Sequence, residues 1–403
     1  MKFNLNQFLL ALSDALDFVE INTLGSTSFH SKRVAYIALR LSNFYNLNEK
    51  EKFDLCSFSI LHDNGLSEEV MVSEFESNPQ KSNLSTLEKY TKHCDIGEKN
   101  IIGFPFLSKH KNIVKYHHEN YDGTGFFKLK GEEIPLLSQI IALADTVDNL
   151  FHFETPSIKN RQKIISFINE KENTWYSKEL VKNFNTLSKL PSFWLDLQCP
   201  NLEKLILKNI TSFTMNIEIE HLVKLSSVFS TIIDSNSSFT ARHSSGLSNK
   251  VEKMSYFYKY DSEKVMKMII AANLHDLGKL AVPNKILDKQ SKLSEEEFEI
   301  VKCHTYYTRQ ALEKIDGFED IVEWGANHHE KLNAEGYPYG LSSENLSQES
   351  RLMTCLDIYQ ALTEERPYRK GMSHKEAMYI LLTQASKGYI DKSIVKDINK
   401  VFS

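Results

Sequence analysis

Leu274-His275-Asp276-Leu277-Gly278-Lys279 and Leu61-His62-Asp63-Asn64-Gly65-Leu66 are two versions of one pattern, and their reading decides the fold. Working outward from each His-Asp pair, more histidines and one more aspartate appear in the same order. The first set is His30, His62, Asp63, His93, His117, His118 and Asp145. The second is His243, His275, Asp276, His304, His328, His329 and Asp357. Matched members are offset by about 212 residues throughout, which is the mark of an internal repeat. Histidines scattered through a core have no reason to recur in register. The pattern reads as a duplicated domain with one metal-binding constellation per copy.

The chain has 403 residues, enough for two or three domains with real cores. Its hydrophobic fraction of 41% and charged fraction of 25% are those of a globular protein. A net charge of −5 speaks against a nucleic-acid polymer or an anionic membrane as partner. A small anionic substrate stays open, because a metal or a local basic pocket can act against a mildly acidic whole. The cysteines Cys56, Cys94, Cys199, Cys303 and Cys355 are odd in number and form no C-x-x-C pair, so no disulfide framework is expected and a reducing cytoplasm is. Cys94 and Cys303 adjoin His93 and His304; on a helix, neighbours face different directions, so both are read as packing thiols. The apolar stretch around Phe8–Leu12 is broken by Asp14 and Asp17, unlike a signal peptide, and no run of about 20 apolar residues exists to span a bilayer.

Helical periodicity dominates, as in Val34, Ile37, Ala38 and Leu41, or Val265, Met268, Ile269 and Ala272. Strand-like alternation is scarce, and the expected fold is all-α. Leu9 to Phe18 resembles Leu222 to Ile232 as an apolar helix leading into the first histidine of each set. Ser157 to Leu187 resembles Ser373 to Val401 as a helix, an aromatic break and another helix. The seam is expected near Pro191 to Pro200, giving domains 1–195 and 196–403. No flexible linker separates the halves, so they are expected to pack on each other.

Neutral imidazoles and carboxylates converging from several helices make a mixed nitrogen and oxygen shell. That set suits iron or manganese, with nickel, cobalt and zinc also accommodated. Adjacent His and Asp on a helix point roughly 100° apart, so His275 and Asp276 can serve neighbouring cations with the carboxylate bridging. A two-metal centre holds a bridging water, lowers its pKa and neutralises phosphate oxygens. Phosphoester hydrolysis is the chemistry implied.

Residues 243–371 resemble the HD-GYP family of the HD phosphohydrolase superfamily. The matching segments are His275-Asp276-Leu277-Gly278-Lys279, Val282-Pro283, His304, His328-His329-Glu330, Gly336-Tyr337-Pro338-Tyr339-Gly340-Leu341, Arg351, Asp357, Leu362-Thr363 and Arg366-Pro367-Tyr368-Arg369. The resemblance implies two tandem HD-type helical domains, a two- or three-metal centre with two divalent metals per site expected for this chain, and hydrolysis of cyclic dinucleotides (3′3′-cGAMP, cyclic di-GMP or both) to linear products. It implies that His243, His275, Asp276, His304, His328, His329 and Asp357 are metal ligands and that Asp276 and Lys279 are catalytic. Lys279, Arg366, Arg369 and Tyr337 are then the substrate-binding residues, with guanidinium suited to phosphate. Three departures stand out. Asn333-Ala334 replaces an acidic-glycine pair, Gln360 replaces a second aspartate, and Phe239 stands where trinuclear members carry a glutamate.

The first copy keeps His30, His62, Asp63, His93, His117, His118 and Asp145 as matching ligand positions. Leu66 replaces the lysine, Phe126-Phe127 replace Tyr-Pro, Ser26 takes the place of the third-metal ligand, and the arginine positions fall on Glu154 and Ser157. Three fates are open to it: a metal-bound regulatory domain, an accessory phosphatase removing a nucleotide's 5′-phosphate, or a structural metal core. For the whole chain, a mononucleotide phosphohydrolase and a non-catalytic dinucleotide sensor are the alternatives to the phosphodiesterase.

Overall fold

The computed structural model describes residues 2–24, 29–66, 68, 92–151, 157–235, 243–365 and 370–403, except the side chains of 18–24. The expected all-α fold is borne out: the sheet among the described residues is one pair of two-residue strands, Lys2–Phe3 and Met215–Asn216. The chain divides into two compact units, Asn4–Met215 and Asn216–Ser403, the latter including the first three residues.

That division falls later than the proline-bracketed stretch around 195. Pro191 begins a helix, Pro191–Asp196, at a position where proline's missing N–H costs nothing. The Trp194 ring lies 5.4 Å from Phe151, and its Nε1 donates to the Ser188 carbonyl at 2.8 Å. The next helix, Leu202–Asn209, buries Leu202 and Ile206 and packs on His30–Ser42. These elements complete the core of the first unit.

The two units repeat one helical order. In the first, Leu5–Leu24, His30–Ser42, Glu49–Ile60, His93–Asn100, Leu136–Leu150, Ile158–Glu170 and Lys178–Leu187 follow one another. In the second, the counterparts are Ile219–Ser235, His243–Phe257, Ser262–Leu274, Glu295–Leu312, Gln348–Thr363, His374–Ser386 and Lys392–Phe402. Starts are set by side-chain caps. Ser294 with Glu297 and Ser373 with Glu376 form capping boxes, as do Asn48 and Glu51, while Asp261, Ser347, Ser157 and Ser177 cap singly. The apolar stripe Val34, Ile37, Ala38 and Leu41 is fully buried.

Each first histidine sits at the beginning of its helix and is tied to the helix before it. Asp17 accepts from the Ser31 backbone N–H at 2.9 Å and from its hydroxyl at 2.5 Å. Asp234 does the same for Ser244, at 3.1 and 2.7 Å. A carboxylate at a helix N-terminus meets unpaired N–H groups and the positive end of the dipole. Burial nevertheless pushes Asp234 up to about 6, against the lowering effect of Ser244.

The His-Asp pair lies at a helix end rather than within a helix. His275 caps the C-terminus of Ser262–Leu274, and Asp276 precedes the 3₁₀ turn Leu277–Ala281. The reason is a close backbone crossing. A Cβ on Gly278 would stand 2.0 Å from the His304 carbonyl oxygen, and one on Gly65 would stand 2.3 Å from that of His93. Gly278→Ala should therefore destabilise the protein by about 1–3 kcal/mol, the cost of forced overpacking. The check is the denaturant midpoint; an unchanged midpoint would show that the crossing has room to spare.

Candidate functional site

In the second unit the predicted ligands converge. His304, His328 and His329 place one ligand atom each within 4.8 Å of one another, and so do His243, His275 and Asp276. Asp276 stands between the groups. Its Oδ2 is 3.1 Å from His275 Nε2, while its Oδ1 is 3.4 Å from His304 Nε2 and 3.6 Å from His328 Nε2. Asp357 Oδ1 is 2.9 Å from His243 Nε2 and 3.9 Å from His275 Nε2. All seven groups are buried or nearly so.

One local device orients the imidazoles. Nδ1 of His275, His304 and His328 donates to the carbonyl three residues earlier, at 2.8, 2.6 and 2.7 Å. A carbonyl only accepts, so the proton is fixed on Nδ1 and the Nε2 lone pair faces inward. His62 and His117 repeat this toward Ser59 and Val114. His275 Nε2 and Asp276 Oδ1 are buried without a hydrogen-bond partner, as are Asp63 Oδ1 and the Nε2 atoms of His117 and His118. Buried polar atoms left in this state cost about 1–3 kcal/mol each, and more when charged. Divalent cations would satisfy them, and the donor set fits.

The electrostatics agree. Burial pushes His304 down to about 3 and His329 to about 4, with His328 well below its usual range, so these imidazoles stay neutral as ligands must. Burial works against the Asp276 charge, but His275 and Lys279 outweigh it and hold the carboxyl well below the ordinary range. Burial also opposes charge on His243, yet Asp357 and Glu364 raise it to about 9.

The first unit builds the same frame. Asp63 Oδ1 is 3.3 Å from both His93 Nε2 and His117 Nε2, and Oδ2 is 3.7 Å from His62 Nε2. His30 Nε2 reaches Asp145 at 3.3 Å. His118 completes the cluster, its ring 5.1 Å from His93. One reading of the sequence is corrected: Cys94 is not a thiol packed away from the site. Its Sγ lies 3.5 Å from His93 Nε2 and joins the ligand atoms of His93, His117 and His118. Cys303 is exposed, so it is not a packing thiol either.

Around the cations the units differ. Lys279 contacts the Asp276 carboxylate, whereas its counterpart Leu66 is apolar and buried. Tyr337 lies half-buried on His329, ring centroids 4.9 Å apart, and Phe126 takes that place beside His118 at 5.6 Å. Ser157, at one arginine position, is occupied capping Ile158–Glu170. Arg366, Arg369, Glu154, Phe239 and Ser26 lie outside the described residues. Ala334 adopts φ 63°, a left-handed conformation that Gly123 takes freely in the first unit, so the Asn333-Ala334 substitution carries backbone strain of about 1 kcal/mol.

Sequence reasoning missed the roles of five further residues. Glu330 accepts from the N–H groups of Tyr339 and Leu341 at 2.8 and 2.9 Å, pinning the loop beside the site, and Glu119 pins its counterpart through Phe127 and Leu129. The outer nitrogen of His30 is held by Asp148 at 2.7 Å, and Arg33 holds that aspartate in turn. Gln360 stands at the equivalent of Asp148, and Gly246 at the equivalent of Arg33. There Glu364, one turn further along, holds His243 Nδ1 at 3.1 Å. The available signal was a carboxylate two helical turns after Asp357, on the same face.

A family model described as HD domain matches residues 21–180 and 227–394. The chain is 25% identical over 399 residues to the 3′3′-cGAMP-specific phosphodiesterase 1 of Vibrio cholerae serotype O1, covering 97% of this chain and 90% of that one. It is 32% identical over 266 residues to phosphodiesterase 3 of the same specificity and organism, covering 65% and 56%. A cyclic di-GMP phosphodiesterase of Pseudomonas aeruginosa is 39% identical over 110 residues, 27% of each chain. The fold matches a crystal structure of a cyclic GMP-AMP-specific phosphodiesterase of V. cholerae with TM-score 0.69 at 24% identity, covering 100% of this chain and 98% of that one.

Outer partners of ligating imidazoles fix ring orientation, and losing one typically costs 10–100-fold in metal affinity. Glu364→Ala should weaken metal binding in the second unit by about that factor, and Asp148→Ala should do so in the first. Competition against a chromophoric chelator reads both; unchanged affinities would remove these carboxylates from the site.

Proposed function

The chain belongs to the HD domain family, and from that premise we propose that its second unit hydrolyses cyclic dinucleotides, opening one phosphodiester to release a linear dinucleotide. The observation that carries this reading is Asp276, with one oxygen toward each histidine group and Lys279 against it. His243, His275 and Asp357 would hold one divalent cation and His304, His328 and His329 the other, with Asp276 shared. Nitrogen and oxygen donors alone favour iron or manganese. When bound, such cations polarise the phosphate and lower the pKa of water beside it.

The residues of the chain supply the rest. Lys279 brings a fixed positive charge to the phosphate and a proton for the leaving oxygen. Tyr337 packs on His329 and forms one wall of the site. Arg366 and Arg369 are placed by the sequence to clamp the second phosphate. The named activity of the relative spanning 97% of this chain supports 3′3′-cGAMP as substrate, and that of the Pseudomonas aeruginosa relative, matched over 27% of this chain, supports cyclic di-GMP.

The first unit, with Leu66 for Lys279 and Ser157 committed to a helix cap, lacks matching phosphate-binding groups at those positions. A metal-bound regulatory role follows, with removal of a terminal 5′-phosphate as the second reading. Among the described residues no helix is long and apolar enough to cross a membrane.

Protein loaded with manganese or iron(II) should convert 3′3′-cGAMP, cyclic di-GMP or both to linear dinucleotides separable by chromatography. Asp276→Ala should lower kcat by about two to three orders of magnitude, in line with loss of a group that organises transition-state charge. Absence of linear product from both substrates would refute the assignment. For the first unit, His62→Ala should leave dinucleotide turnover within about twofold, since the site with the phosphate-facing charge lies in the other unit. Phosphate release from a linear product, lost in His62→Ala but kept in His275→Ala, would establish the accessory phosphatase instead.

A further inference from the structure

We infer that Cys94 is a thiolate ligand, so that His93, Cys94, His117 and His118 form a sulfur-containing metal site in the first unit that the second unit does not reproduce. The inference rests on the reading of the first unit as metal-bound and goes beyond it in naming the ligand and the class of metal.

Four ligand atoms meet there within 4.8 Å of one another: three imidazole nitrogens and the Cys94 sulfur. Tetrahedral bonds of about 2.0–2.3 Å to nitrogen and sulfur place neighbouring donors roughly 3.3–3.7 Å apart. The Cys94 Sγ to His93 Nε2 separation of 3.5 Å already matches that spacing. Cys94 and His93 are fully buried, so no bulk water stands in for a ligand. The Nε2 atoms of His117 and His118 are buried and have no hydrogen-bond partner. For His117 the Nδ1 proton is spent on the Val114 carbonyl, which leaves a lone pair at Nε2 directed into the cluster. Those two orphaned nitrogens point to a ligand independently of the cysteine.

The second unit makes the contrast. The residue following its matching histidine is Thr305, whose hydroxyl donates to the Lys302 carbonyl at 3.1 Å. Cys303, on the other side of His304, is exposed, and its sulfur donates to the Glu299 carbonyl at 3.4 Å. The corresponding group there is three imidazoles without sulfur. Binding in the first unit would break the Cys94 S–H bond, release the proton to solvent and form a metal–sulfur bond, with no electron transfer. Thiolate donation favours zinc, cobalt(II) or iron(II) over manganese. Asp63 Oδ1, 3.3 Å from both His93 and His117 Nε2, adds an oxygen donor at the same place. The two halves would then take different metals for different ends.

The test uses the full chain, stripped with chelator and reloaded with cobalt(II) without oxygen. Wild type should develop a near-ultraviolet thiolate-to-cobalt charge-transfer band. Cys303→Ser and His275→Ala should keep the band; Cys94→Ser should lose it. A cobalt-loaded wild type without the band, or a band surviving Cys94→Ser, overturns the inference and leaves the phosphodiesterase reading of the second unit untouched. Equal cobalt content in wild type and His117→Ala also overturns it, because the first unit would then hold no such metal. X-ray absorption on zinc-loaded wild type needs no variant: a sulfur scatterer at about 2.3 Å is expected, and a shell of nitrogen and oxygen alone refutes the ligand.

Discussion

A carboxylate buried between two groups of imidazoles governs each half of this protein. An uncompensated buried charge costs several kcal/mol after relaxation, and one oxygen of each of Asp276 and Asp63 is buried without a hydrogen-bond partner. The surrounding histidines cannot all take protons, since burial holds His304 and His329 neutral. Lys279 and His275 offset the Asp276 charge, and the arrangement of helices follows from delivering the remaining donors to the same point. The first histidine begins one helix, the His-Asp pair ends the next, and the last aspartate lies within a later one. Five of the histidines have their protons parked on the carbonyl three residues back, which turns helix geometry into ligand geometry.

Around that common frame the halves diverge through small substitutions. Leu66 stands where the second half has Lys279, and Phe126 where it has Tyr337. A cysteine precedes His304 in one half and follows His93 in the other, where its sulfur lies 3.5 Å from the imidazole. None of these changes disturbs the fold, because each position lies at a helix end or in a loop rather than in the shared hydrophobic stripes.

The outer carboxylates show how such a frame tolerates loss. In the first half Asp148 holds His30 and is itself held by Arg33. In the second half Gly246 and Gln360 stand in those places, and a Cβ at Gly246 would collide with the glutamine amide. Glu364, at the C-cap of the helix that carries Gln360, restores the carboxylate to His243. The requirement for an oriented imidazole persists while the residue that meets it moves.

Repetition of His, His-Asp, His, His-His and Asp at one offset was sufficient to read duplication, helical class and metal chemistry, because ligand identity is written residue by residue. The Ser157 and Ser373 helix starts were legible for the same reason: capping is local. Other features depended on contacts distant in sequence. The seam near Pro191 read as a boundary, yet Trp194 on Phe151 draws that segment into the first unit. His275 and Asp276 read as helix-interior neighbours, yet the crossing of Gly278 over the His304 carbonyl ends the helix there. Cys94 read as packing, Glu364 went unread, and the loop-holding role of Glu330 was invisible. A sequence names the atoms able to bind a cation; only the packed chain decides which of them point to the same place, since direction is set by neighbours that the linear order does not place together.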